Sequence, residues 1–172
     1  GIFKHLVLKT TAHGILHERI LMSSSTTGTA SSNITLESQS SQLQSRSTLS
    51  ILENFVGSEQ RPLLVIDSAK SLSRRGEMSA RIAAAMSLRP LSTEISFLLK
   101  EAEDPATMNW EKVASVLKKN RDILVYGFTW ILWLAWAKAK KPAYIEELLA
   151  DARIHFVHSG GWKKLESIKV TR

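Results

Sequence analysis

The stretch with the most chemical content is "HFVHSGGWKKLESI", residues 155–168, where two histidines precede a glycine pair and a tryptophan. His155 and His158 have one helical turn between them and no acidic partner in the local sequence. Neither metal ligation nor an oriented acid–base pair is indicated, so both read as surface or boundary residues. Gly160 and Gly161 supply the backbone freedom that stops a helix. Trp162 directly behind them implies a sharp corner that returns a large ring to a core. Elsewhere the chemistry is thin. His13 and His17 lie at i, i+4 without a Glu-flanked zinc signature, and neither standard form of glycine-rich phosphate loop is present. Nothing marks a nucleophile elbow, although a Ser/His/Asp triad assembled from distant positions stays open. The absence of cysteine excludes disulfides, thiolate zinc sites and thiol catalysis. This inventory favours a binding or regulatory protein over an enzyme, with no cofactor and no metal.

The elements that position these residues read as helices. A chain of 172 residues, 44% hydrophobic, is long enough for one core, and a single domain over residues 1–172 is expected. The net charge of +7 invites nucleic acid, an anionic membrane or an acidic partner. The positive charges are scattered pairs such as Lys118-Lys119, Lys140-Lys141 and Lys163-Lys164, the pattern of a solvated face. Aromatic residues cluster away from Lys and Arg, which argues against nucleic acid. Gly1 in place of Met points to a processed or trimmed chain. Residues 2–22 have the apolar spacing of an amphipathic helix weakened at Gly14, with a basic transit peptide as the rival reading. Residues 23–50 are rich in Ser, Thr and Gln and too poor in apolar side chains to offset ordering entropy, so a long flexible loop is expected there. Helical signals return beyond residue 51, punctuated at Pro90, Asp104-Pro105, Asn120 and Pro142. The run "ILVYGFTWILWLAWA", residues 123–137, has 15 residues without a charge. It is short for a bilayer span of roughly 20 residues and suits the buried centre of a bundle. The fold class read from these patterns is all-α: a helical bundle around a central apolar helix, with a disordered loop after the first helix.

Two short motifs give the bundle a family. Asn109-Trp110-Glu111-Lys112 follows an amphipathic segment and the turn at Asp104-Pro105, and Gly160-Gly161-Trp162 follows about fifty residues later. Pattern and spacing resemble the first and second homology motifs of the Bcl-2 family of apoptosis regulators. "LSRRGE", with Leu72, Gly76 and Glu77, is similar to that family's death-motif helix, and residues 23–50 fall where its long loop lies. Glu111, Lys112 and Arg75 depart from the family pattern. The resemblance implies a groove that binds the amphipathic BH-3 helix of a pro-apoptotic partner. Asn109, Trp110, Lys112 and Val113 would build that groove, Lys112 meeting a ligand aspartate, with Arg121 as the second candidate cation. It further implies a pro-survival regulator of apoptosis at the cytoplasmic face of the mitochondrial outer membrane, or in the cytoplasm. The alternative, from the apolar run and the basic N-terminal segment, is an accessory structural subunit of an organellar membrane complex.

Overall fold

The computed structural model describes residues 17–22, 33–72, 78–162, 165 and 167. In chain order the elements are β1 (His17–Met22), β2 (Asn33–Glu37), α1 (Ser38–Val56), β3 (Arg61–Ser68), a 3-10 turn (Ala69–Leu72), β4 (Met78–Ser79), α2 (Ala80–Met86), β5 (Ser92–Leu99), α3 (Trp110–Leu117), β6 (Asp122–Phe128), α4 (Thr129–Leu132, continued by a π turn over Trp133–Ala137), α5 (Ala143–Ala150) and β7 (Arg153–Ser159). The chain divides into two compact units, residues 1–58 with 71–87, and residues 59–70 with 88–172. The fold is therefore α/β, and the expectation of an all-α Bcl-2-like bundle is overturned.

In the first unit β1 pairs antiparallel with β2 and parallel with β4, in the order β2-β1-β4. Of the stretch expected to be a flexible loop, residues 23–32 lie outside the described residues, Asn33–Glu37 is β2, and residues 38–50 belong to α1. Of the helix expected over residues 2–22, the described part, His17–Met22, is a strand.

The second unit is a four-stranded, wholly parallel sheet in the order β5-β3-β6-β7. Parallel strands covered on both faces lose the apolar–polar alternation that marks a strand in sequence. β3, "RPLLVIDS", is buried at every position, and β6, "DILVYGF", at its five central ones. Pro62 has no N–H to give a ladder, and it sits where the β3–β5 register shifts, between Arg61 and Leu63. Leu64, Ile66, Leu98, Ile123 and Val125 meet Val113, Leu117, Ile131, Ala135, Trp136 and Ile145 in one apolar core between sheet and helices. β6 passes into a short helix that packs close at Gly127: a Cβ there would lie 3.3 Å from both Ile66 Cβ and Leu132 Cβ. The run expected to be one central helix is thus a buried strand, a turn of α-helix and a π turn. That π turn closes with Lys138 N–H donating to Trp133 O.

At the amino ends of three strands one carboxylate ties the sheet. Asp122 Oδ1 accepts from Arg61 Nε of β3 at 2.9 Å and from His155 Nε2 of β7 at 3.0 Å. Arg61, itself buried, also donates to the Glu59 carboxylate at 2.8 Å and to Glu59 O. A hydrogen bond to a charged group contributes roughly 1.5–3 kcal/mol, and leaving a buried guanidinium short of acceptors costs a similar amount. We expect Asp122→Ala to lower unfolding stability by about 2 kcal/mol, seen in urea as a shifted midpoint at unchanged slope. An unmoved midpoint would show that the three amino ends are held without this carboxylate.

Candidate functional site

In an open parallel sheet, ligands bind beyond the carboxyl ends of the strands, at the point where strand order reverses. Here β5 lies on one side of β3 and β6 on the other, so the reversal falls between β3 and β6, with β7 beside β6. The β6–β7 register runs unbroken from Asp122↔Arg153 to Phe128↔Ser159. It delivers the start of α4 and the glycine pair after β7 to the same end of the sheet. There Thr129 Oγ1 lies 3.0 Å from Gly160 O, 3.2 Å from Ser159 O and 3.1 Å from His158 Nδ1. Tyr126 Oη, almost fully buried, lies 2.7 Å from Ser159 Oγ. At the end of β3, Asp67 and Ser68 are buried. Ser68 N–H donates to Asp67 Oδ1 at 2.7 Å, and Ser68 Oγ donates to Lys100 O just past β5.

Alternation along β7 sorts its side chains between the two faces of the sheet. Ile154 packs on the core, and Phe156 meets the Trp136 ring edge-on at 5.7 Å. His158 shares their face, whereas Ser159 points to the other, toward Tyr126. The two neighbours in sequence therefore make no nucleophile–base pair with each other. His155 and His158 also part company: in a strand three positions is an odd step, so they face opposite sides and bond different partners.

The glycine pair ends a strand here, not a helix. Gly160 has φ +72, and a Cβ on it would come within 3.1 Å of the Phe128 ring. A Cβ on Gly161 would meet nothing within 4 Å. Trp162 does turn back onto an aromatic neighbour, its ring 5.4 Å from that of Trp133 at 76°. The other residues of the expected groove disperse. Asn109 caps α3, its Oδ1 accepting Lys112 N–H at 3.0 Å. Trp110 stacks at a tilt on Trp136, 5.5 Å away. Val113 is fully buried in the core, while Lys112 is exposed and reaches Phe97 O at 3.4 Å. Arg121, at the opposite end of β6 from Thr129, donates to Leu148 O at 3.1 Å. Leu72 ends the 3-10 turn, and Gly76 and Glu77 lie outside the described residues. Among the described residues there is no cluster of metal-ligating side chains and no helix long and apolar enough to cross a membrane.

The second unit is thus an open parallel α/β sheet with hydroxyls, an imidazole and a glycine turn gathered at its carboxyl end, where sheets of this class bind ligands. Over residues 1–172 the chain matches the family described as acyl-protein synthetase, LuxE, and it belongs to that family. No curated protein and no solved structure matches it. The family is one of enzymes, which corrects the expectation of a non-enzymatic regulator. It also removes apoptosis, a BH-3 helix partner and the accessory membrane subunit as readings of this chain.

Conformation and space separate the two glycines. A side chain forced into the left-handed region costs roughly 1–2 kcal/mol. Gly160→Ala should destabilise by about that much or more, given the Phe128 ring, and Gly161→Ala should stay within about 0.5 kcal/mol of the parent. Thermal unfolding of both variants measures the difference; equal losses would contradict the geometry at this turn.

Proposed function

We propose that the carboxyl-end lip formed by β6, β7 and the start of α4 is where this chain handles an acyl group on its way to a protein acceptor within a fatty acid reductase complex. The observation that carries the reading is the meeting of Thr129, His158 and the Gly160 turn at the ligand-binding end of a sheet whose chain belongs to an acyl-protein synthetase family.

Joining an acyl group to a protein sets three demands. A carboxylate is a poor electrophile, so its oxygen must first be converted to a leaving group. In a synthetase, a nucleoside triphosphate is the chemical class that supplies that driving force. The acceptor hydroxyl or thiol must lose a proton as it attacks. The oxyanion that develops on the acyl carbonyl must be met by hydrogen-bond donors already in place. The lip supplies a ring nitrogen for the second demand. For the third it offers backbone N–H groups at a glycine turn, where Gly161 has no side chain to keep a ligand at a distance. The face of α4 below the lip is aromatic, with Trp133 against Trp162 and Trp136 against Phe156, which gives an acyl chain an apolar surface to lie on.

The experiment is direct. Full chain incubated with a labelled fatty acid and a nucleoside triphosphate should carry label that survives denaturation and is released by neutral hydroxylamine, the behaviour of an ester or thioester. A protein that never acquires label, and never passes it to a partner subunit, would sink the reading. Gly161→Val should raise KM for the acyl donor roughly tenfold or more, the effect of a small steric change in a fitted site, with unfolding stability little changed. An unaltered KM would place the ligand elsewhere.

A further inference from the structure

We infer that His158 is the general base of the acyl-transfer step and that Thr129 holds it in the tautomer that step needs; this rests on the acyl-transfer reading above. A threonine hydroxyl has one proton to give and lone pairs to receive. Thr129 Oγ1 faces three partners, Gly160 O at 3.0 Å, Ser159 O at 3.2 Å and His158 Nδ1 at 3.1 Å. Both carbonyl oxygens can only accept, and the nearer, Gly160 O, is the shortest of the three contacts, so the hydroxyl proton is placed there. Turning it toward Nδ1 would leave two carbonyl oxygens facing hydroxyl lone pairs at hydrogen-bond distance. With the hydroxyl proton given to a carbonyl, we assign the ring as the donor and the hydrogen to Nδ1. In the neutral ring the lone pair is then on Nε2. Nε2 has no hydrogen-bond partner among the described residues, and His158 is exposed at the lip.

The same strand holds a contrasting case. His155 gives its Nε2 to the Asp122 carboxylate, which when ionised can only accept, so the hydrogen sits on Nε2 and that nitrogen is occupied. One histidine of β7 is consumed in tying strands together; the other keeps a basic nitrogen free at the ligand-binding end. A base oriented by a third group is the arrangement that activates a weak nucleophile. In the step, Nε2 of His158 takes the proton of the acceptor hydroxyl or thiol as its oxygen or sulfur bonds to the acyl carbon. The bond from that carbon to the activating group breaks, and that group leaves with the electron pair. The proton on Nε2 then passes to the departing group or to water.

Two measurements test this. Nitrogen-15 NMR of the full chain should show a pyrrole-type Nδ1 and a pyridine-type Nε2 for His158, with Thr129→Val allowing both tautomers. A pyridine-type Nδ1 in the parent would overturn the assignment. In the labelling assay His158→Asn, whose amide can still bond Thr129, should slow transfer to protein by about 100-fold or more, the usual contribution of a general base. His158→Ala should fall as far and recover in part with added imidazole, which a purely structural role would not permit. Full transfer by His158→Asn, with the parent active, would overturn the role of His158 and leave the acyl-transfer reading standing. A parent chain inactive in transfer would overturn both.

Discussion

The unbroken parallel pairing of β6 with β7 is the constraint on which the rest of this molecule depends. Seven successive partners, Asp122↔Arg153 through Phe128↔Ser159, fix both ends of the pair at once. At the amino end the register puts His155 against the carboxylate that also holds the buried Arg61. At the carboxyl end it sets Thr129 beside His158 and Gly160. A slip of one residue would turn every β7 side chain to the opposite face. The His155–Asp122 contact and the lip would be lost together. One strand thus carries a charged clasp at one end and, at the other, an exposed imidazole bonded to Thr129.

Punctuation was legible in the sequence; element type was not. The breaks at Asp104-Pro105, Asn120 and Pro142 and the glycine corner all stand as boundaries, and Asn109-Trp110 does open a helix. Those signals are local, a capping carboxamide or a missing N–H, and survive any tertiary context. "PLLVID" and "ILVYGF" misled because parallel strands covered on both faces carry no alternation, and a short apolar run by itself fits a buried helix as well. The fifty-residue interval between Asn109-Trp110 and Gly160-Gly161-Trp162 has a plain origin. It is the length of α3, β6, α4, α5 and β7 with the segments that connect them, a capped helix start at one limit and a strand-end turn at the other. The likeness to two Bcl-2 motifs came from these generic devices.

At the site, the residue types drew notice while their geometry stayed hidden. His155 and His158 look like a pair when spaced on a helix and part to opposite faces on a strand. Thr129 carried no signal, because its partners come from residues some thirty positions away and only the β6–β7 register brings them within reach. Gly160 was expected to end a helix and ends a strand instead; its left-handed φ is a backbone requirement that residue type suggests in either setting. Lys112 and Arg121 attracted attention as cations beside a motif and prove to be ordinary solvated side chains bonded to backbone carbonyls.

The two walls of the lip differ in how firmly they are held. β6 is flanked by β3 and β7, while β7 has a neighbour on one side only among the described residues. Local opening begins where a segment has fewest bonds to break, so β7 should exchange its amide hydrogens through shallower excursions than β6 does. Thr129 grows from the stiff wall and His158 from the soft one. A brief lifting of the edge strand would part His158 from Thr129 while β6 stays paired with β3.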